Sequence, residues 1–372
     1  MAARFPIKLL RRGLEAFALI SVIVFAAVLF YGNNLEFFLD AMVSVRWQWL
    51  LLGVGLASMD WIGGGLRLYV LGKHVYPQTS LKGCILSGGL NAWATMLTPS
   101  QAGGGPVGIM VLKRYGMPLP VAMVVTFMSF VATILFFGVA GPLTILFGAG
   151  ESLQQHGVLG ILSLRELYFL SLGGFVMVGV VMLFVIIFPG VARRLARRIV
   201  GWLERRGSAK LAHRVADLNA GIDRAHEAMV AFFKGRGWLS LAAAVVLTAV
   251  ALSNKLISGY VVLRALGIEA QFVDVVLLQT LIIFLLYFAP TPGGSGLAEV
   301  LSAAVMSIYV PRELTPSYIL LWRILVSYLT VGVGSIVFWR WLKLAGERPE
   351  EADEEEAESV REDRVARPEL GK

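Results

Sequence analysis

Residues 289–296 read Ala-Pro-Thr-Pro-Gly-Gly-Ser-Gly, and this stretch interrupts a hydrophobic segment that begins at residue 272 and resumes as far as residue 310. A related stretch at residues 98–106 reads Thr-Pro-Ser-Gln-Ala-Gly-Gly-Gly-Pro and interrupts a hydrophobic segment that begins at residue 81. Both stretches should break a helix, because proline removes a backbone donor and glycine lets the chain turn sharply. What such a break means depends on the solvent around it.

The composition identifies that solvent as lipid. Hydrophobic residues make up 57% of the 372 residues and charged residues 16%, and the mean hydropathy is +0.73. A soluble domain carries about 25% charged residues, so an all-α integral membrane protein is predicted. A helix needs about 20 apolar residues to cross a bilayer. Six transmembrane helices are predicted, at residues 14–31, 47–71, 118–147, 167–188, 238–263 and 317–339.

The two interrupted segments are predicted to be re-entrant helical hairpins. Backbone amides freed by a break cannot face lipid, where each unsatisfied group costs several kcal/mol, so the turns must be buried in protein or line a wet cavity. Residues 189–236 contain eleven Lys and Arg residues and are therefore expected in the cytoplasm. Lys113 and Arg114 also fall inside if both hairpins return to the side they entered, but outside if both segments cross. The first hairpin then opens from the cytoplasm, the second opens from the exterior, and both termini are cytoplasmic.

The order span, span, hairpin, span occurs twice with opposite orientation. Gly72 precedes Thr98 by 26 residues and Gly267 precedes Thr291 by 24, with Leu before each glycine and Pro after each threonine. These matches predict an inverted-repeat architecture, an arrangement that many secondary transporters use for alternating access. The first membrane repeat is placed at residues 1–163 and the second at residues 164–346. Chance similarity between two glycine-rich apolar segments is the alternative interpretation.

Two charged segments lie outside the predicted spans. Residues 347–372 contain eleven acidic and five basic residues, so this tail is predicted to be disordered, either without a role or as a docking tail. Within residues 189–236, arginines are interspersed with apolar residues, as in an amphipathic segment that binds the anionic inner leaflet of a membrane. Nucleic-acid binding is not expected, because aromatic residues are sparse there.

The second break carries a specific motif. Its Pro-Gly-Gly-x-Gly-x-x-Glu pattern extends to Glu299, and residues 321–323, Leu-Trp-Arg, follow. The pattern resembles the lysylphosphatidylglycerol synthase transmembrane-region family, also described as flippase-like, over most of residues 10–345. The resemblance implies a bacterial or archaeal inner-membrane protein that moves or presents a lipid. That family usually has Gly-Glu and later Glu-Arg in its first half, whereas residues 104–106 and 127–130 carry no charge here. No soluble synthase domain is expected, because only the acidic tail follows residue 346.

The two turns are the predicted substrate site. A helix that begins after a turn points its free N–H groups at the turn, and such ends attract anions such as a lipid phosphate, to which nearby hydroxyls would add donors. The alternative is that the glycines only permit close helix packing. The candidate residues are Thr98, Pro99, Gly103, Gly104 and Gly105 in the first turn, and Thr291, Pro292, Gly293, Gly294, Ser295 and Gly296 in the second.

Charged residues inside the predicted spans are further candidates, because an ion within the membrane is costly. Glu299 and Arg323 are predicted to form a structural salt bridge or to bind substrate, with Arg323 on a phosphate and Glu299 on a cationic headgroup or a coupling proton. The repeat aligns Asp60 with Lys255, so this polar pair is predicted to meet between the two halves.

Two further arginines are assigned no substrate role. Arg67 and Arg264 lie nearer helix ends and are expected to extend their charged groups to the membrane surface.

Catalytic and metal chemistry is not expected. The single cysteine is Cys84, the four histidines are scattered, and neither a Gly-x-Ser-x-Gly motif nor a phosphate-binding loop is present. The chain is therefore not expected to be an enzyme or to need a cofactor or a metal. The sequence does not indicate its oligomeric state. Three functions fit the sequence: gradient-driven translocation of a phospho-, glyco- or isoprenoid lipid, transport of a small soluble anion, and presentation of lipid to a separate lipid-modifying enzyme.

Overall fold

The computed structural model describes residues 7–30, 35–146 and 236–346, together with isolated helical positions between residues 173 and 233. Every regular element in these parts is helical, which confirms the prediction of an all-α protein. Three predicted segments lie outside the described residues, apart from those isolated positions: the span at 167–188, the basic segment at 189–236 and the acidic tail at 347–372.

The elements are numbered here in chain order. The α-helices are α1 Ile7–Phe30, α2 Leu35–Ser44, α3 Trp47–Ala57, α4 Met59–Val75, α5 Leu81–Met96, α6 Gly104–Arg114, α7 Leu119–Leu146, α8 Gly237–Ala265, α9 Phe272–Leu286, α10 Leu297–Met306, α11 Thr315–Arg323 and α12 Leu329–Gly346. A π-helical turn, Ile324–Tyr328, joins α11 to α12. Short 3₁₀ turns lie at Pro99–Gln101, Pro292–Gly294 and Arg312–Leu314.

Within the described residues, four helical stretches are long and apolar enough to cross a membrane, as a multi-pass membrane protein requires. They are Trp47–Val75, Leu119–Thr144, Gly237–Ala265 and Arg312–Lys343. These stretches correspond to the predicted spans at 47–71, 118–147, 238–263 and 317–339. The predicted span at 14–31 lies largely within α1, and α9 is apolar but shorter.

Helix α4 lies between α5 and α8, and its glycines allow both neighbours to approach. A Cβ atom at Gly63 would lie 2.6 Å from the backbone nitrogen of Ala251 in α8. One at Gly65 would lie 2.4 Å from the Cα atom of Ile85 in α5. Small residues at such positions let membrane helices pack backbone to backbone. The close packing brings the polar side chains of α4 against those of α8.

The first interrupted segment folds as a helix–turn–helix hairpin. The Ser87 hydroxyl of α5 donates a hydrogen bond of 2.9 Å to the Gly108 carbonyl of α6. Near the start of α5, a Cβ atom at Gly83 would lie 2.6 Å from the Cβ atom of Tyr115, which follows α6. Because the start of α5 meets the end of α6, the two helices are antiparallel and the segment returns to where it began.

The second interrupted segment has the same form. The Tyr309 hydroxyl, just after α10, donates a hydrogen bond to the carboxylate of Asp274 in the first turn of α9. At the opposite end, a Cβ atom at Gly294 would lie 3.5 Å from the Cβ atom of Ala289. The hairpins α5–α6 and α9–α10 therefore each have a base, where their outer ends meet, and a tip at the Pro/Gly turn.

The chain divides into two compact units, Met1–Val331 and Gly332–Lys372. The first contains both hairpins and two buried hydrophobic clusters. The second includes the C-terminal part of α12, where the rings of Phe338 and Trp341 stack with their centroids 6.1 Å apart. The predicted boundary between repeats at residue 163 lies outside the described residues.

Candidate functional site

In each hairpin tip, the proline is followed by two residues in the left-handed region, and the tips then diverge, because Ala102 is helical whereas Ser295 has ψ 135°. After Pro99, Ser100 adopts φ 48° and ψ 26°, and Gln101 adopts φ 57°. After Pro292, Gly293 adopts φ 59° and ψ 18°, and Gly294 adopts φ 65°. Such left-handed angles cost roughly 1–2 kcal/mol per residue when a Cβ atom is present, so the first tip is strained where the second is not.

The tips also touch each other. The Ser100 N–H donates a hydrogen bond of 2.9 Å to the Ala289 carbonyl. The Gln101 side-chain amide lies 3.4 Å from the Leu286 carbonyl and donates to it. A Cβ atom at Gly293 would lie 3.0 Å from the Met96 carbonyl oxygen. The two breaks are therefore in direct contact with each other.

Helix α1 packs across this region with one face. A Cβ atom at Gly13 would lie 2.0 Å from the Leu97 carbonyl oxygen at the first tip. Four residues on, the Phe17 ring lies against Gly293 of the second tip. Another four residues on, the Ser21 hydroxyl is 3.1 Å from the Ser295 hydroxyl. Phe17 and Ser21 were not predicted as site residues, because the sequence of α1 alone does not show what it packs against.

Arg323 is buried against the second tip and contacts it through all three guanidinium nitrogens. Its Nε atom lies 3.0 Å from Oε1 of Glu299, close enough for an ion pair but not aligned for a hydrogen bond. Its Nη1 donates to the Gly293 carbonyl at 3.0 Å, and its Nη2 donates to the Ser295 hydroxyl at 3.0 Å. Glu299 accepts a hydrogen bond of 2.7 Å from the Gly296 N–H and so caps α10. The side chains of Arg323 and Glu299 are 2% and 1% exposed, so both charges are neutralised inside the protein.

The π-helical turn after Arg323 adds to this environment. Ser327 accepts a hydrogen bond of 3.1 Å from Nη1 of Arg323, and the Tyr328 ring centroid lies 5.7 Å from the guanidinium carbon. Ser327 was not predicted, although its spacing of four residues from Arg323 places both on one helix face. π-Helical turns occur frequently at functional sites.

The remaining predicted residues of the second turn stabilise its shape. The Thr291 hydroxyl donates a hydrogen bond of 2.7 Å to the Ser295 carbonyl. Pro292, Gly294 and Ser295 are buried. The Thr291 and Ser295 hydroxyls therefore bond to the protein itself in this conformation.

The first turn carries no charge and is more exposed. The Thr98 hydroxyl accepts a hydrogen bond of 2.8 Å from the Gly103 N–H and donates one of 2.9 Å to the Ala94 carbonyl. Gly104 is buried, and a Cβ atom there would lie 2.2 Å from Oγ1 of Thr95. Exposed positions around this turn are Pro99, Ser100, Ala102 and Pro106, and Gly105 is half-buried. No carboxylate corresponding to Glu299 caps α6.

Asp60 joins three helices. Its Oδ1 atom lies 2.9 Å from Nζ of Lys255 in α8, with side-chain exposures of 1% for Asp60 and 13% for Lys255. Its Oδ2 atom accepts a hydrogen bond of 3.2 Å from the Thr330 hydroxyl in α12. Asn254 lies 3.5 Å from the same oxygen and also donates to the Leu325 carbonyl in the π-helical turn. The two residues aligned by the repeat are therefore in contact.

The prediction that Arg67 extends to the membrane surface is wrong. Its Nη1 donates to the Thr133 hydroxyl of α7 at 3.0 Å and to the Thr248 hydroxyl of α8 at 3.2 Å. Its Nε atom is buried without a hydrogen-bond partner. The guanidinium points between helices because α7 and α8 flank it with hydroxyls. Arg264 instead lies with its guanidinium carbon 5.7 Å from the centroid of the Trp49 ring.

Within the described residues, no group of three His, Cys, Asp or Glu side chains is placed to hold a metal ion. Charge in the interior is instead supplied by Asp60, Arg67, Lys255, Glu299 and Arg323.

Comparison with known proteins places this chain among membrane proteins. A family described as the lysylphosphatidylglycerol synthase TM region matches residues 16–334. A relative from Archaeoglobus fulgidus, described as a UPF0104 membrane protein, is 23% identical over 324 residues, which cover 86% of this chain and 94% of the relative. No solved structure gives a significant match.

Proposed function

This chain belongs to the lysylphosphatidylglycerol synthase transmembrane-region family, and from that premise we propose that it is a flippase-like protein. It moves a phospho-, glyco- or isoprenoid lipid between the leaflets of a cytoplasmic membrane by alternating access, without a catalytic step. The single observation that carries the proposal is the contact between the two hairpin tips, where the Ser100 N–H bonds to the Ala289 carbonyl. Two broken helices that meet at one polar region are typical of transporters.

In the proposed architecture, six transmembrane helices and two oppositely oriented re-entrant hairpins form an inverted repeat. The matching left-handed turns after Pro99 and Pro292 support this duplication. The basic residues of segment 189–236 support a cytoplasmic location for both termini.

The proposed motion separates the tips. The described contact between them includes one backbone hydrogen bond and a long one from Gln101, whereas the second tip is tied to α11 and α1 through Arg323. Separating hairpin α5–α6 from hairpin α9–α10 therefore breaks fewer hydrogen bonds than separating the second tip from α11 would. A headgroup enters between the tips while the lipid chains stay in the bilayer, and a proton, ion or lipid gradient drives net movement.

A reversible cross-link between the tips tests this function. The backbone contact between Ser100 and Ala289 is compatible with a disulfide, whose Cα atoms lie about 4.4–6.8 Å apart. We expect oxidised Ser100→Cys/Ala289→Cys protein in proteoliposomes to stop translocating a fluorescent phosphatidylglycerol, and reduction to restore the rate. The single-cysteine variants, treated with the same oxidant, are the matched controls, and the native Cys84 is buried.

The outcomes separate the three functions. Full lipid translocation by protein shown to be cross-linked contradicts the moving tips. Uptake of a soluble anion that the cross-link blocks, without lipid movement, favours an anion transporter. Absence of any transport by the reduced protein favours a subunit that presents lipid to a lipid-modifying enzyme.

A further inference from the structure

Arg67 has hydrogen-bonding capacity that the protein does not use. Thr133 and Thr248 both accept from Nη1, while Nε is buried without a partner and no described residue accepts from Nη2. A guanidinium carries five N–H donors, and a buried donor without an acceptor destabilises the protein. In the described part of the chain, no carboxylate lies within ion-pair distance of Arg67. This side chain therefore lacks an anionic partner.

Arg67 belongs to a cluster of polar groups that carries a net positive charge. Lys255 of α8 and Arg67 of α4 interact electrostatically with each other and with the Tyr287 hydroxyl. Asp60 is the one carboxylate that acts on this cluster among the described residues, and it is already paired with Lys255 and bonded to Thr330. Among the described residues, two cations and one carboxylate leave one positive charge uncompensated in a low-dielectric interior, where an ion is costly unless paired.

The residues of this cluster are less buried and less engaged than Arg323. The residues Arg67, Lys255 and Tyr287 are each half-buried, whereas Arg323 is buried and its nitrogens already contact Glu299, Gly293, Ser295 and Ser327. Binding of a phosphate by Arg323 would first require breaking those contacts. Binding by Arg67 would require breaking none and would satisfy donors that are free.

We propose that Arg67, supported by Lys255 and the Tyr287 hydroxyl, binds the phosphate group of an anionic lipid during translocation. The planar fork of a guanidinium matches two phosphate oxygens at once, and a charge-assisted pair of this kind is about twice as strong as a neutral hydrogen bond. The assignment rests on the function proposed above, and it moves the phosphate-binding role from Arg323, where the sequence suggested it, to α4. Lys255 then keeps its ion pair with Asp60 and attracts the lipid phosphate at longer range.

Binding measurements on the purified full chain in nanodiscs of neutral lipid test this site. The probes are dioctanoyl phosphatidylglycerol, inorganic phosphate and dioctanoylglycerol, which lacks a phosphate. We expect Arg67→Gln to weaken phosphatidylglycerol binding by about tenfold to a hundredfold, since a bond to a charged group is worth roughly 1.5–3 kcal/mol. Arg67→Lys, which keeps the charge but loses the fork, should be intermediate. Dioctanoylglycerol should not compete in the wild type.

Arg264→Gln is the matched control, because Arg264 is also half-buried with an unpaired Nε but lies over Trp49 away from the cluster. It should bind phosphatidylglycerol as the wild type does. Equal binding by Arg67→Gln and wild type overturns the site; if Arg67→Gln does not fold, equal binding by Arg67→Lys and wild type overturns it. Binding of inorganic phosphate with rejection of phosphatidylglycerol overturns the lipid assignment. Arg67-dependent lipid binding in a protein that moves no lipid leaves the site standing and contradicts the proposed function instead.

Discussion

The two hairpin tips share a pair of left-handed residues after the proline but differ in what stabilises them. The second tip places glycines at both left-handed positions, is mostly buried and is held by the Glu299–Arg323 pair. The first tip places Ser100 and Gln101 at the same angles, is exposed on one side and contains no charge. Of two turns that share a pair of left-handed residues, one is therefore an anchored tip and the other a strained, accessible tip.

This difference suggests a division of roles. The anchored tip has its helix N-terminus capped by its own Glu299, so it offers little to an anion. The accessible tip begins α6, and no described carboxylate caps that helix to compensate the positive end of its dipole. Under the proposed function, the first hairpin is thus the half better suited to motion and to contact with substrate, and the second is better suited to hold the fold.

Removal of Arg323 should have the largest effect, because it leaves Glu299 charged and buried without its partner. We expect Arg323→Ala to lower the free energy of unfolding by about 3–5 kcal/mol, measured by titration with SDS in mixed micelles. Adding Glu299→Gln to Arg323→Ala should recover part of that loss, because no unpaired charge then remains. Arg11→Ala, which breaks an exposed ion pair with Glu15, is the control and should leave stability unchanged. A loss of under about 1 kcal/mol for Arg323→Ala would contradict the anchoring role.

Gly293→Ala should have the next largest effect. Alanine at φ 59° is strained, and its Cβ atom would lie 2.6 Å from the Phe17 ring and 3.0 Å from the Met96 carbonyl oxygen. Strain and overpacking together predict a loss of roughly 2–4 kcal/mol in the same titration. Gly138→Ala, where a Cβ atom meets nothing within 4 Å, is the control and should be neutral or slightly stabilising. Equal stability of Gly293→Ala and wild type would contradict the close contact of α1 with the second tip.

The contrast between the tips was only partly predictable from the sequence. The helix breaks follow from Pro99, Pro292 and the glycines near them, because these residues disrupt helices locally. The meeting of Asp60 with Lys255 followed from aligning the repeats. The left-handed angles at Ser100 and Gln101 have no local signal, since neither residue favours them and the surrounding tertiary structure imposes them.

The position of Arg67 was mispredicted for a related reason. Because Arg67 lies near a helix end, its guanidinium was predicted to reach the membrane surface. The direction of the side chain depends instead on which helices pack beside α4. The hydroxyls that receive it, from Thr133 and Thr248, are far away in sequence. The contacts of Phe17 and Ser21 could not be predicted for the same reason, because the sequence of an apolar helix such as α1 does not indicate which elements it packs against.

A smaller change should test whether the strain in the first tip serves motion. Ser100→Gly removes about 1–2 kcal/mol of left-handed strain and adds about 0.5–1 kcal/mol of chain entropy cost, so a net gain in stability of roughly 0.5–1 kcal/mol is expected. If the strain helps the tips to separate, lipid translocation by Ser100→Gly should be slower than by wild type in proteoliposomes. Gly293→Ala moves stability in the opposite direction and serves as the comparison. Faster translocation with higher stability would count against a role for the strain.

The smallest expected effect concerns the bases of the hairpins, which also differ. The base of α9–α10 is closed by the hydrogen bond from Tyr309 to Asp274, whereas the base of α5–α6 is closed by packing of Tyr115 against Gly83. Tyr309→Phe should cost roughly 0.5 kcal/mol, because a half-buried hydrogen bond contributes little net stability. Partial burial and the acceptor carboxylate of Asp274 raise the pKa of Tyr309 to about 12. An unfolded tyrosine titrates near 10, so the bond's contribution is present below pH 10 and is lost as the pH rises towards 12. The difference in stability between wild type and Tyr309→Phe should therefore shrink across that interval, and a constant difference would show that the hydroxyl does not close this base.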